Sequence, residues 1–253
     1  MRLQLATWPE VEAYLTRSRG IVIPIGSAEQ HGPTGFVGTD ALCPELVAQG
    51  VGERQEAMVA PTLSIGMAQH HLGFPGTIAF RPTTLISVVI DVVNSLARHG
   101  FERFFFLNGH GGNIATLSAA FSELYAESSL GTAGHNRPPI RCKQESWWDC
   151  DGVKAISDEV FGEAEGSHAT ASEVSLTYYG YPEAARRVQS PEPLSPRIAP
   201  QGPIYDAEDY RRRFPDGRIG SDPTLASPEV GARLYEASVE AMGSRYGAFL
   251  DED

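Results

Sequence analysis

Three short stretches of the sequence combine acidic residues, histidines and glycines. They read Glu-Gln-His-Gly at residues 29–32, Asn-Gly-His-Gly-Gly-Asn at 108–113 and His-Ala-Thr-Ala-Ser-Glu at 168–173, and a Gly-Thr-Asp string ends at Asp40. Carboxylates and imidazoles together are borderline ligands that suit zinc, manganese or iron. Side chains of this kind that converge on two cations can activate a water molecule for hydrolysis.

Each stretch by itself has an ordinary explanation. An exposed Glu-x-His pair is usually solvated, a histidine between glycines fits a tight turn, and an acidic residue such as Glu173 is favoured at the start of any helix. Taken together, the stretches could supply five ligands around two ions, with one carboxylate shared. The candidate metal ligands are Glu29, His31, Asp40, His110 and Glu173.

Two other chemistries fit the same stretches less well. Helix N-termini favour phosphate, but Ile114 stands where a G-x-G-x-x-G string needs its third glycine, and no Gly-Lys-Ser/Thr follows. Nucleotide binding therefore ranks below metal binding. A serine nucleophile has less support, since the chain contains no G-x-S-x-G string.

Size and composition predict one globular domain, residues 1–253. With 42% hydrophobic and 21% charged residues, a chain of this length can bury a sizeable core. A net charge of −12 disfavours nucleic-acid binding. No apolar run is long enough to span a membrane, and residues 1–17 lack the apolar core of a secretory signal, so we expect a cytoplasmic protein. Three cysteines without C-x-x-C spacing predict neither a disulfide framework nor a thiolate zinc site: Cys43, Cys142 and Cys150.

The candidate ligands follow elements that alternate between strand and helix. Apolar runs predict strands at residues 20–26, 58–65, 76–80, 104–107 and 139–144. Helices are predicted at 39–52, from 82 with an apolar stripe between 85 and 96, after 113, at 172–179 and from the Ser-Pro-Glu string at 227–229. This alternation predicts an α/β layered fold with a mostly parallel sheet and ligand sites at the carboxyl ends of its strands.

Two features depart from that regular pattern. Pro24 interrupts the first apolar run, and a proline inside a strand indicates an edge strand or a strand end. Residues 185–225 are rich in proline and predict a long irregular loop, of the kind that is usually functional or forms an interface.

Several motifs, in order along the chain, resemble the creatininase (creatinine amidohydrolase) family. They are Ile-Pro-Ile-Gly-Ser-Ala-Glu-Gln-His-Gly at 23–32, Gly-Thr-Asp at 38–40, Phe-Pro-Gly-Thr-Ile at 74–78, Asn-Gly-His-Gly-Gly-Asn at 108–113, the stretch 168–175 and Asp-Pro-Thr-Leu-Ala at 222–226. The resemblance implies a three-layer α/β/α sandwich with a mostly parallel central sheet. It also implies two divalent metal ions and a homo-oligomer, commonly a hexamer built from dimers.

The resemblance further implies how the ligands are shared. One ion would be held by Glu29, Asp40 and His110, and the other by His31, Asp40 and a glutamate. Creatinine-hydrolysing members carry that glutamate two residues after the histidine that matches His110, where this chain has Gly112. Glu173 replaces it here, as in relatives that carry the same Gly-His-Gly-Gly-Asn string.

The activity that the resemblance implies is hydrolysis of an amide C–N bond by a water shared between the ions, with a creatinine-like small molecule as first candidate substrate. Creatinine-hydrolysing members place a tryptophan over the ring, four residues before the histidine that matches His168, where this chain has Ala164. Trp147 or Trp148 could line the pocket instead, or both are core aromatics. Relatives also remove formyl groups from formamidopyrimidine intermediates or trim a peptide precursor, and these activities are alternatives.

We expect His168 and Glu173 to be catalytic. Histidine titrates near working pH, so His168 can deliver a proton to the leaving nitrogen; alternatively it supports a metal ligand or lies in the core. His70 and His71 precede the Phe-Pro-Gly motif and could approach the pocket, but they are not counted as catalytic. Two non-enzymatic alternatives are a metal-binding regulatory protein and a metal-free structural subunit of an oligomer.

Overall fold

The computed structural model describes residues 1–131, 139–188 and 193–252. The strands in these residues are β1 (Gly20–Ile25), β2 (Met58–Val59), β3 (Arg103–Asn108) and β4 (Arg141–Ser146). Within the described chain they form one parallel sheet in the order β2-β1-β3-β4. The pairing of β1 with β3 runs as far as Ile25 opposite Asn108, so the two strands end level with each other.

Helices precede, separate and follow the strands. The first four are α1 (Trp8–Leu15), α2 (Thr39–Arg54), α3 (Pro82–Ala97) and α4 (Ile114–Ser129). After β4 come α5 (Asp151–Val160), α6 (Ala171–Gly180), α7 (Pro182–Ala185), α8 (Ala207–Arg213) and α9 (Pro228–Leu250). No helix in the described part of the chain combines the length and the apolar character needed to cross a membrane.

The helices cover both faces of the sheet. Alternate residues of β1 and β3 enter two hydrophobic clusters, with Ile23 and Phe106 in one and Val22 and Phe105 in the other. Helices α1, α3 and α4 pack in the first cluster, and α2, α5, α6 and α9 pack in the second. Strands covered on both faces are continuously apolar in sequence. The predicted three-layer α/β/α sandwich with a parallel sheet is confirmed.

Two helix predictions are confirmed in detail. Leu85, Val89 and Val93 form the fully buried stripe of α3. The last helix begins where predicted, and Oγ of Ser227 accepts a hydrogen bond from the N–H of the third helical residue at 3.2 Å. This cap satisfies a backbone donor that would otherwise have no partner within the helix.

The second predicted strand is shorter than residues 58–65. Only Met58–Val59 pair as β2, and Pro61, which has no N–H to donate, follows soon after. The chain stays beside β1, because Leu63 N donates to Pro24 O at 2.9 Å. Pro24 lies one residue before the end of an inner strand, so the edge-strand alternative is wrong and the strand-end alternative is correct.

Two further predictions need correction. Residues 76–80 form no strand in the described structure: Ile78 makes an isolated antiparallel bridge to Ala28 and is 52% exposed, so it fills no sheet face. Residues 189–192 of the loop predicted at 185–225 lie outside the described residues, and the described part of this loop is only partly irregular, since α8 lies inside it. Asp206 caps that helix from the position before its first residue, and its Oδ1 accepts hydrogen bonds from the N–H groups of the second and third helical residues.

Candidate metal centre

The five candidate ligands lie together at the carboxyl edge of the sheet. They come from the loop after β1, the first turn of α2, the loop after β3 and the first turn of α6: Glu29, His31, Asp40, His110 and Glu173. Because β1 and β3 end level with each other, the loops that follow them start from neighbouring positions. This edge is where open α/β sheets generally bind ligands.

Asp40 lies between two histidines. Its Oδ1 is 2.9 Å from Nε2 of His31, and its Oδ2 is 2.6 Å from Nδ1 of His110. Two groups of potential ligands share it, namely Glu29, Asp40 and His110, and His31, Asp40 and Glu173. The ligand atoms of each group lie within 4.8 Å of one another. A carboxylate that belongs to both groups could be a ligand of two ions.

Backbone carbonyls decide which ring nitrogen of each histidine faces Asp40. Nδ1 of His31 lies 3.0 Å from the carbonyl oxygen of Glu29 and donates to it, which leaves Nε2 towards Asp40. Nε2 of His110 lies 2.8 Å from the carbonyl oxygen of Met67, which leaves Nδ1 towards Asp40. Metal-binding histidines are commonly oriented by such a second hydrogen bond.

The Glu29 carboxylate supports a cation at this position most directly. Its side chain is fully buried, and neither carboxylate oxygen accepts a hydrogen bond from any described residue. The imidazole Nε2 atoms of His71 and His110 lie 3.1 and 3.4 Å away, but they are not aligned as donors. A buried carboxylate without compensation is costly. Three carboxylates and two imidazoles are a donor set suited to zinc, manganese or iron, so these residues fit a divalent metal.

Without a metal, the carboxylates hold protons on two histidines. Burial lowers the pKa of His31, but the charges of Asp40 and Glu173 outweigh burial and raise it to about 10. Burial also opposes the shift at His110, whose pKa is raised to about 9 by Glu29 and Asp40. For Asp40, burial acts to raise the pKa, yet the two imidazoles lower it. Positive charge is therefore favoured on both sides of Asp40.

Glu173 reaches the centre from the start of α6, where it forms a capping box with Thr170. Its Oε1 accepts a hydrogen bond from the N–H of Thr170 at 2.6 Å, and Oγ1 of Thr170 accepts one from the N–H of Glu173 at 3.3 Å. The same Oε1 lies 3.8 Å from Nε2 of His31. Burial raises the pKa of Glu173 to about 7. The helix start thus orients a carboxylate towards His31.

Two glycines allow the segments that carry the ligands to approach one another. A Cβ atom on Gly26 would lie 1.9 Å from the carbonyl oxygen of Asp40, and one on Gly109 would lie 2.0 Å from it. Asn113 joins the same region, because its side chain donates to the carbonyl oxygen of Gly26 at 2.9 Å and accepts from the N–H of Met67 at 3.1 Å. Only residues without a Cβ let the first turn of α2 lie against both strand ends.

His168 lies beside the centre. Its Nε2 is 2.8 Å from the carbonyl oxygen of Gln30 and donates to it, while its Nδ1 is 3.8 Å from Oε1 of Glu29. Glu29, His31 and His168 form a further group of potential ligands. Burial, followed by the neighbouring imidazoles of His71 and His31, which disfavour a further proton, lowers the pKa of His168 well below its ordinary value. The ring is therefore neutral in the metal-free protein, with its Nδ1 lone pair on the side of Glu29.

Sequence reasoning left out one histidine that contacts a candidate ligand. His71 is buried, its Nε2 lies 3.1 Å from Oε1 of Glu29, and its ring stacks on that of His168 with centroids 4.3 Å apart. Its Nδ1 is 2.8 Å from Nε2 of Gln30. The one sequence signal was its place just before the Phe-Pro-Gly motif, which does not distinguish it from its neighbour His70.

A cavity of about 680 Å³ opens onto the centre. Trp147 and Trp148 both line it, and Trp147 is also part of the hydrophobic cluster beneath, so it is both a core residue and a wall of the cavity. Lys154 and Asp158 of α5 and Ile204, which precedes α8, line it as well. The segment predicted as a functional loop thus contributes to the cavity wall.

A parallel α/β fold with buried carboxylates and imidazoles at the strand ends defines an α/β protein with a candidate site for divalent metals. The family model described as "Creatininase: Creatinine amidohydrolase" matches residues 4–245. The chain therefore belongs to the creatininase family of hydrolases, as its motifs predicted.

Two curated relatives show the range of activities among similar proteins. The chain is 30% identical to a creatinine amidohydrolase of Pseudomonas putida over 249 residues, which cover 93% of this chain and 92% of the relative. It is 35% identical to a mycofactocin precursor peptide peptidase of Mycolicibacterium smegmatis over 239 residues, which cover 89% of this chain and 83% of the relative.

Solved structures of similar proteins contain metals of the expected kind. A creatininase structure titled as the Mn form has a TM-score of 0.77 and 27% identity to this chain, with 96% of each chain covered. A mutant creatininase titled as Zn-Zn type has a TM-score of 0.76 and 28% identity, again with 96% of each chain covered.

Proposed function

We propose that the protein is an amidohydrolase that cleaves an amide C–N bond with two divalent cations, zinc, manganese or iron. Glu29, Asp40 and His110 would hold one ion, and His31, Asp40 and Glu173 would hold the other. The observation that carries the proposal is the position of Asp40, whose two oxygens lie 2.9 and 2.6 Å from imidazole nitrogens of the two groups.

The protein residues have distinct tasks in this mechanism. Two divalent cations, when bound, supply an activated water and polarise the substrate carbonyl. Asp40 sets the spacing between the two halves of the centre because it belongs to both. His31 and His110 present a fixed ring nitrogen, since the other nitrogen of each ring contacts a backbone carbonyl. Burial of Glu29 keeps bulk water from competing for its oxygens.

His168 is the residue proposed to move the proton. Because its Nε2–H donates to the carbonyl oxygen of Gln30, its Nδ1 carries a lone pair on the side of Glu29. Nδ1 can accept a proton from the attacking water and then give it to the nitrogen that leaves. Such a transfer by a positioned side chain typically contributes about 10²–10⁴-fold to the rate.

A creatinine-like amide is the first candidate substrate, and a short peptide is the second. The peptide is favoured by the cavity, since creatinine is much smaller than the drug-sized ligands that fill cavities of about 300–1,000 Å³. The relative named as a peptide peptidase also has the higher identity of the two described above, 35% against 30%, although the match to the creatinine amidohydrolase covers more of both chains. A formamide is the third candidate.

Metal content and activity test the proposal together. The protein is purified without chelator, its metals are measured by elemental analysis, and it is assayed on creatinine, formamides and short peptides. We expect about two ions per chain and cleavage of at least one amide. Asp40→Asn should lose both ions and all turnover, whereas Asp91→Asn on the exposed face of α3 should behave as wild type.

The same experiment separates the alternatives. Two bound ions without cleavage of any amide would favour a metal-binding regulatory protein. A lack of stoichiometric metal would favour a structural subunit. Sedimentation of the purified protein tests the accompanying proposal of a homo-oligomer.

A further inference from the structure

His71 lies in the short helical turn Gln69–His71, far along the chain from every candidate ligand. The residue is 1% exposed, and its ring is enclosed by other rings. It stacks on His168 with centroids 4.3 Å apart, and Tyr210 packs edge-on against it at 4.6 Å. The ring therefore has a fixed orientation.

The amide of Gln30 determines where the proton of His71 lies. Oε1 of Gln30 accepts a hydrogen bond from the N–H of Gly32 at 2.8 Å, which identifies the other end of the amide as NH₂. That NH₂ group lies 2.8 Å from Nδ1 of His71 and 2.9 Å from the carbonyl oxygen of Gly217. It also lies 2.9 Å from Nε2 of His168, but that nitrogen donates its own hydrogen to the Gln30 carbonyl and so cannot accept. An amide nitrogen only donates, so Nδ1 of His71 accepts. The single ring hydrogen of neutral His71 is therefore on Nε2.

The Nε2–H of His71 faces the carboxylate of Glu29. Nε2 is 3.1 Å from Oε1, which is within hydrogen-bonding distance, although the N–H is not aligned with that oxygen. Hydrogen bonds of this kind are often poorly aligned in unliganded sites and tighten when the site is filled. An N–H donor beside a metal-binding carboxylate orients that carboxylate.

We propose that His71 is a positioning residue for Glu29. It orients the Glu29 carboxylate towards the ion that Glu29 would bind together with Asp40 and His110. This inference rests on the proposed function, because it takes the metal centre as given. The chain of contacts runs from Gln30 through the ring of His71 to Glu29. Gln30 thus connects the metal ligand to His168, whose Nε2–H donates to the Gln30 carbonyl.

Metal affinity, measured by chelator competition with Zn²⁺ or Mn²⁺, tests the inference without recourse to activity. His71→Leu removes the donor at similar volume, and we expect one of the two ions to bind about 10–100-fold more weakly. The other ion, held by His31, Asp40 and Glu173, should bind as in wild type. His71→Gln keeps an N–H donor at the position of Nε2 and should restore most of the affinity.

His70→Leu is the matched control, because His70 lies in the same turn and packs on His71 and Tyr210. Its metal affinity should equal that of wild type. The inference is overturned if His71→Leu binds both ions as tightly as wild type, or if His70→Leu weakens binding equally. Should His71→Leu fail to fold, His71→Asn replaces it. The amide nitrogen of asparagine reaches only the position of Nδ1 and leaves Glu29 without its donor. The His71→Asn protein should therefore bind one ion more weakly than the His71→Gln protein.

The outcomes separate this inference from the proposed function. Wild-type protein that binds two ions and hydrolyses no amide contradicts the proposed function, while the affinities of the variants still decide the role of His71. Wild-type protein that binds no metal overturns both.

Discussion

Gly109 packs so closely against Asp40 that a Cβ atom on residue 109 would lie 2.0 Å from the Asp40 carbonyl oxygen. The end of β3 and the start of α2 are thereby in backbone contact. This contact fixes the position of Asp40 relative to His110, the residue that follows Gly109. The position of the shared carboxylate thus depends on the absence of one methyl group.

Gly109→Ala should therefore displace Asp40. Overpacking typically costs about 1–3 kcal/mol, and a clash with backbone places this change at the upper end or beyond. We expect a lower midpoint in denaturant unfolding and weaker binding of both ions. Gly111→Ala is the control, because a Cβ there meets nothing within 4 Å. Equal effects of the two changes on metal binding would contradict the importance of the contact.

Glu173→Gln should remove one ion and leave the helix start intact. Glutamine can still accept the hydrogen bond from the N–H of Thr170, so the capping box survives. We expect elemental analysis to find about one ion per chain. Glu123→Gln on the exposed side of α4 is the control and should retain two ions per chain. Two ions in Glu173→Gln would remove Glu173 from the set of ligands.

Metal affinity should rise with pH. In the metal-free protein the pKa values of His31 and His110 are raised from 6.5 to about 10 and about 9, so both rings are protonated at neutral pH. A cation must displace these protons, and each displaced proton adds roughly tenfold in affinity per pH unit below those values. Calorimetric titrations between about pH 6 and 8, in buffers that differ in ionisation enthalpy, measure the protons released. Affinity that is independent of pH would show that the imidazoles are not ligands.

His168→Ala should reduce turnover and leave the metal content unchanged. The expected loss in kcat is about 10²–10⁴-fold, the usual contribution of a general acid or base. Elemental analysis measures the metal content. Steady-state kinetics measures kcat on whichever of creatinine, the formamides and the short peptides the protein cleaves. His99→Ala, an exposed histidine just after α3, serves as the control. Loss of an ion from His168→Ala would instead assign this residue to the metal centre.

Hydrophobic patterns were enough to predict an α/β layered fold with a mostly parallel sheet, and the family resemblance implied its three layers. The stripe from residues 85 to 96 has the period of a helix, and the run at 104–107 is continuous because helices cover both faces of the strand. Residues 76–80 resemble a strand in composition, but a strand also needs a partner elsewhere in the chain. The local sequence pattern does not show whether such a partner strand exists.

Residue types, and places after strands and before helices, indicated the stretches that carry the candidate ligands, and the family resemblance implied which five residues bind metal. In the structure, all five side chains lie close together at one edge of the sheet. That they bind metal remains a prediction. The contact of His71 with Glu29 could not be predicted in the same way. It depends on a turn that returns residues 69–71 to the loop after β1, and the path of that turn is set by tertiary packing.

The candidate ligands and the cavity wall belong to different parts of the molecule. The ligands lie where strands end or helices begin, and the layered core holds them in place. Part of the wall, in contrast, consists of exposed residues such as Lys154, Asp158 and Ile204. Such exposed residues can be replaced without disturbing the buried candidate ligands, so the shape of the cavity can change while the centre stays the same. Two relatives of this chain are named for different substrates, one for creatinine and one for a precursor peptide.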